Sequence, residues 1–149
     1  MHHIDEATLS DIPALVNLLA DLFNIEKDFS VDTSKQVRGL ELMIANPERG
    51  VIKVARDNQG KAIGMVSAQL VISTTQGAAS AWIEDMVMDE DYRGSGIGKS
   101  LLNAILKWAT DKGATRAQLL VDIENISAVG YYQHLGWETT QLQARRIFL

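Results

Sequence analysis

At 149 residues the chain is about one domain's worth, since one hydrophobic core typically organises roughly 100 to 200 residues, and 46% hydrophobic with 22% charged residues is an ordinary globular composition. Without a single cysteine it excludes disulfides, thiolate nucleophiles, iron–sulfur clusters and cysteine-held zinc. Fourteen basic residues against nineteen acidic ones leave a formal charge of −5, the wrong sign for gripping nucleic acid or anionic lipid by general electrostatics, and three histidines, two of them His2 and His3, argue against a metal centre.

His3 to Ala7 is read as a first strand. A helix follows, with Ser10 as N-cap, Pro13 early in it and Ile12, Leu15, Leu18, Leu19, Leu22 and Phe23 on one face. The pattern lapses from Asn24 to Ser34 and resumes as a second helix through Val37, Leu40, Met43 and Ile44, closed by Asn46-Pro47. Val51–Arg56, a turn at Asp57–Gly60 and Ala62–Val71 make a hairpin. Ser73 to Ser80 reads as a loop and Ala81–Met88 as a strand. Leu101, Leu102, Ile105, Leu106 and Ala109 share a helical face that Gly113 stops. Ala117–Val121 is a strand, Ser127–Leu135 a helix capped by Ser127, and Trp137 to Leu149 a last strand. The order implies one α/β or α+β domain over residues 1–149 with a mixed sheet. The N-terminal MHHIDEATLSD does not resemble a secretory signal and no run approaches the ~20 apolar residues of a membrane span, so a cytoplasmic protein is expected.

The most informative segment is Tyr92-Arg93-Gly94-Ser95-Gly96-Ile97-Gly98-Lys99-Ser100, between a strand and an amphipathic helix. Glycines let the backbone turn tightly, and free N–H groups at a helix start attract phosphate. A Walker A loop ending in Gly98-Lys99-Ser100 needs glycine where Arg93 stands. A dinucleotide fingerprint fails as well, because Lys99 and Leu101 occupy the positions that need glycine or a small residue.

What remains, Arg-Gly-x-Gly-x-Gly before a helix carrying Leu101-Leu102, resembles the loop of the GNAT superfamily of acetyltransferases. Ile83–Met88 precedes it as that family's central strand does. The stretch from Asn125 to Trp137 resembles its second signature, an asparagine followed seven residues on by an aromatic-Tyr doublet and a Gly-aromatic end. Glu90 stands where the family often has proline. The resemblance implies a mixed, mostly antiparallel sheet with flanking helices and a splayed strand pair that holds acetyl-CoA.

It further implies that the amides of Gly94, Ser95, Gly96, Ile97, Gly98 and Lys99 hold a pyrophosphate, with Arg93 adding charge. Met86 and Met88 offer backbone groups to the pantetheine arm, and the N–H of Met86 or Val87 polarises the thioester carbonyl. Tyr132 is the candidate general acid for the departing thiolate, against the plainer reading of Tyr131 and Tyr132 as core aromatics. Asn125 hydrogen-bonds the cofactor arm or simply makes an Asx turn. Related enzymes with an acid at the Glu84 position make Glu84 the candidate base or amine anchor, against a structural ion pair. Strict alternation puts Glu84 with Trp82, Met86 and Met88 and Asp85 with Ile83 and Val87, so only one acid can line a given cleft. His134 reads as a surface residue, Trp108 and Trp137 as packing anchors, and Trp82 as an anchor or the floor of an acceptor pocket. Glu26, Asp28 and Asp32 are either solvated or recognise a cationic acceptor, and the resemblance implies that segments 24–36 and 73–80 face the acceptor.

The expected activity is acetyl transfer from acetyl-CoA to a primary amine by direct attack, the acceptor being a small amine, polyamine, amino sugar or protein amino group. The alternative is a non-catalytic acyl-CoA sensor. No metal, nucleic acid or membrane partner is expected, and a homodimer is allowed for.

Overall fold

The computed structural model of the chain describes residues 2–25 and 30–149. Its sheet has five strands in sequence order, β1 (His3–Glu6), β2 (Gly50–Arg56), β3 (Ala62–Ser73), β4 (Ala78–Met88) and β5 (Ala114–Leu119). Neighbours are antiparallel except β4 and β5, which run parallel. A parallel step needs a crossover, here the helix α3 (Ile97–Asp111). The mixed, mostly antiparallel sheet expected from the sequence is therefore present.

Each face of the sheet has its own core. On one, Leu15, Leu18 and Leu19 of α1 (Ile12–Ile25) and Leu40 of α2 (Thr33–Ile44) cover Ile52, Val54, Met65 and Val87. On the other, Leu101, Leu102, Ile105 and Trp108 of α3 cover Val51, Ala55, Ile63, Val66 and Ile83. Burying each large side chain contributes about 2 kcal/mol, so the two layers hold the sheet's strands in one register.

Several boundaries shift for local reasons. Thr8, not Ser10, starts the first helical turn, because the Asp11 carboxylate accepts the Thr8 N–H at 2.8 Å. The expected loop from Ser73 to Ser80 shrinks to a turn at residues 74–77, where Gly77 supplies a φ of 62°. The fourth helix, α4 (Ile126–His134), is capped by Asn125 rather than Ser127. The strand expected from Trp137 to Leu149 is absent: the segment has no strand pairing, and Leu142, Ile147 and Phe148 stand exposed. Its middle, Glu138 to Arg146, alternates too little apolar character to fasten it on a sheet face. Among the described residues, no helix is long and apolar enough to cross a membrane.

Candidate active site

The site is organised by an irregularity in β4. Met65 faces Val87 and Ser67 faces Glu84, so Val66 alone stands opposite Asp85 and Met86. This is a β-bulge, and Asp85 absorbs it with a φ of 55°, in the left-handed region that Asp tolerates better than most side chains. Ser67, 2% exposed, donates its hydroxyl to the Glu84 carbonyl at 3.1 Å and so satisfies a backbone acceptor at the distortion.

The bulge overturns the expected alternation. Met86 and Met88 pack with Ile83 in the α3 core, whereas Val87 joins the α1 and α2 core. Glu84 and Asp85, expected on opposite faces, both line one cavity of about 510 Å³ between α1, α2 and the sheet. The Glu84 carboxylate accepts the Trp82 indole N–H. Trp82 therefore orients Glu84 and is not itself among the residues lining the cavity.

The acids expected beyond the first helix contribute differently. Asp32 caps α2, accepting the Ser34 hydroxyl at 2.8 Å and the Lys35 N–H at 3.2 Å. These bonds, Ser34's foremost, hold its carboxyl below the usual carboxylate range. Glu26 and Asp28 lie outside the described residues. Segment 73–80 supplies no residue to the cavity.

On the α3 side, the glycine loop is shaped by local bonds. Where a proline was missing, Asp89 opens a short 3₁₀ turn over Glu90–Tyr92 by accepting the Asp91 N–H at 3.0 Å. Gly94 and Gly96 follow with φ of 78° and 84°, conformations that a side chain would strain. The N–H groups of Gly94, Ser95 and Gly96 donate to no acceptor among the described residues. Ser100 bonds back to the Gly96 carbonyl at 3.2 Å, which leaves the amides of Ile97, Gly98 and Lys99 as the open start of α3. Ile97, 2% exposed, anchors that start in the core. Arg93 turns back, its guanidinium donating to the Met88 carbonyl at 3.3 Å. It frames the loop and occupies a carbonyl expected to serve the pantetheine arm.

Beside this loop the sheet opens. Pairing between β4 and β5 ends at Ile83 and Leu119, and Glu84 to Met88 continue with no β5 neighbour. The space is flanked by α4, where the Asn125 side-chain oxygen caps the helix by accepting the Ala128 N–H at 3.1 Å. Its amide nitrogen has no partner among the described residues. Tyr132 stacks edge-on against Tyr131 and Trp137, with ring centroids 5.6 and 5.8 Å away. Burial, with a smaller effect of Tyr131, pushes the Tyr132 phenol up to about 12. Tyr131 was missed by sequence reasoning: a Cβ added at Gly98 would lie 3.4 Å from its hydroxyl and 3.2 Å from Met86 Cε. Its place in the doublet was the available signal, because adjacent helical residues point about 100° apart. His134 is exposed, as expected.

Glu84 thus faces the cavity under α1 and α2, while Tyr132 packs on the α3 core. The unpaired edge of β4 lies between them.

Comparison with known proteins places this geometry. The family profile described as Acetyltransferase (GNAT) family matches residues 13–137. An uncharacterized N-acetyltransferase of Methanocaldococcus jannaschii is 33% identical over 84 residues, 56% of this chain and 37% of that protein. A thialysine N-epsilon-acetyltransferase of Mus musculus is 26% identical over 139 residues, covering 89% of this chain and 82% of the mouse protein. The chain spans well under half the length of the first of these relatives. Among solved structures, an aminoglycoside N-acetyltransferase crystallised with CoA superposes with a TM-score of 0.80 at 20% identity, over 100% of this chain and 93% of that one, which speaks for the fold.

Proposed function

Because the chain belongs to the GNAT family of acetyltransferases, we propose that it transfers an acetyl group from acetyl-CoA to a primary amine by direct attack. The observation that carries this reading is the parting of β4 from β5 beside six amides at the start of α3. An extended arm can add to an unpaired strand edge, and free amides at a helix start suit a pyrophosphate. Relatives point to amines of several kinds, being described as acting on thialysine, on ornithine N5 and on aminoglycosides.

The chain's own groups then divide the work. The amides of Gly94, Ser95, Gly96, Ile97, Gly98 and Lys99 hold the pyrophosphate, and Arg93 keeps a positive charge beside it. The Asn125 amide nitrogen and the exposed edge at Met86 hold the arm. The N–H of Met86 or Val87 stabilises the negative charge that builds on the carbonyl oxygen. Glu84 anchors the amine and draws off its proton, directly or through water. Tyr132, kept protonated by burial, supplies the proton that the departing thiolate needs.

A thioester assay across an amine panel tests this, combined with coenzyme A binding by calorimetry. Binding and turnover are expected. Coenzyme A binding without turnover on any amine would instead favour an acyl-CoA sensor, and no binding at all would overturn both.

A further inference from the structure

The cavity that holds Glu84 and Asp85 carries opposite charges at its two ends. Arg49 lines it at the far side, next to Gly50. Gly50 pairs with Gln69, and two residues along β3 Ser67 pairs with Glu84. Two strand spacings across and two residues along separate Gly50 from Glu84 by roughly 12 Å. That leaves room between the two side chains for a short aliphatic molecule.

The Arg49 guanidinium makes no hydrogen bond or ion pair with any described residue. Its sequence neighbour Glu48 reaches Lys112 instead, at 3.7 Å. Between the charged ends the walls are apolar, formed by Leu19, Leu40, Met43 and Ile52. Asn46 and Gln69 add side-chain amides near Arg49, and neither has a side-chain partner among the described residues.

Resting on the acetyl-transfer reading above, we propose that the acceptor is an amine that also bears a carboxylate, an amino acid with its amine at the end of an aliphatic side chain. The amine lies toward Glu84, the methylenes lie along the apolar walls, and the carboxylate pairs with Arg49. An Arg–carboxylate pair is frequently bidentate and geometrically specific. A polyamine would instead bring a second cation up to Arg49, which costs affinity by like-charge repulsion. In the transfer, the amine nitrogen forms a bond to the acetyl carbon as the carbon–sulfur bond breaks. The amine's proton leaves toward Glu84, and the thiolate takes one from Tyr132.

The test pairs each amino acid with its decarboxylated counterpart: lysine against cadaverine, ornithine against putrescine, with glucosamine 6-phosphate as a phosphate-bearing control. The carboxylated member should have kcat/KM at least about tenfold higher, the discrimination that one charged hydrogen-bonded contact supplies. Arg49→Gln should erase that preference through KM and leave coenzyme A affinity unchanged, and Arg49→Lys should restore part of it. Diamines used as well as amino acids, a stronger response to the phosphate, or an Arg49→Gln enzyme with its preference intact would overturn the inference while acetyl transfer stands. Absence of turnover on every amine, with no coenzyme A binding, would overturn both.

Discussion

The Ser67 hydroxyl spans the bulge to the Glu84 carbonyl at 3.1 Å, and it does so from a side chain 2% exposed. A single buried hydroxyl thus ties the regular strand β3 to the residue that presents a carboxylate to the cavity. Ser67→Ala removes the donor and leaves the carbonyl in a place water barely reaches. The expected cost is about 1 kcal/mol in urea denaturation, with a higher KM for the amine because Glu84 rides on the same distortion. An unchanged midpoint and KM would show that the bulge holds without this bond.

Asp85 separates two effects in one position. Its φ of 55° suits Asn about as well as Asp, whereas a β-branched residue there is strained by roughly 1 to 2 kcal/mol. Asp85→Asn should therefore unfold at a higher temperature than Asp85→Val, as read by thermal unfolding. Equal melting of the two variants would mean that the bulge relaxes away when the residue changes.

These two residues also mark where the sequence stopped being informative. The glycine loop was legible, because register against Arg93, Lys99 and Leu101 discarded the competing phosphate loops, and both helical cores followed from period alone. Strand alternation then assigned Glu84 and Asp85 to opposite faces. One inserted residue reverses that assignment, and nothing in Glu84-Asp85-Met86 announces an insertion, since a bulge depends on the partner strand's length. Asn125 was legible in kind but not in use: its oxygen goes to the Ala128 N–H, a contact fixed only once the helix start is known. The terminal strand failed because Glu138 to Arg146 alternates too little apolar character to fasten on a sheet face.

Gly96 links the loop to α3 as its N-cap, with a φ of 84°. No neighbouring atom would meet an added Cβ there, so the penalty of Gly96→Ala is conformational, about 1 to 2 kcal/mol. The backbone relieves that strain by rotating the loop amides. Coenzyme A affinity should fall about tenfold by calorimetry, more than the loss at an exposed glycine of ordinary φ such as Gly130. Similar affinity for Gly96→Ala and wild type would take the loop amides out of the binding site.

Away from the site, the Asp11 carboxylate receives both terminal nitrogens of Arg56, at 2.7 and 2.8 Å. Arg56 also donates to Asp5 at 2.7 Å, so one guanidinium ties β1 and the start of α1 to β2. The Arg56 hydrogen bonds, opposed by burial and helped by the Thr8 N–H, hold the Asp11 carboxyl below its ordinary 3.8. A carboxylate depressed in the folded state stabilises fully above its unfolded pKa and loses that contribution as the pH drops through the folded one. Asp11→Asn should cost about 2 kcal/mol near neutrality. The difference from wild type should shrink only below about pH 4. A gap in urea midpoints that stays constant through acid would assign the effect to packing.

Tyr132 offers the sharpest separation of chemistry from structure. Its phenol, held up at about 12 by burial, is a proton donor across the whole working range, so a rise of rate with pH does not come from Tyr132. Tyr132→Phe keeps the ring against Tyr131 and Trp137 while deleting the proton. It should lower kcat by about a hundredfold, leave coenzyme A affinity unchanged and preserve the pH at which the rate climbs. Tyr131→Phe is the control, because its hydroxyl lies by Gly98 and Met86. It should weaken cofactor binding more than it slows transfer. If the two substitutions exchange these signatures, Tyr131 is the proton donor and Tyr132 the packing residue. A Tyr132→Phe enzyme with full kcat and a Tyr131→Phe enzyme with unaltered binding would place the leaving thiolate's proton source outside this pair.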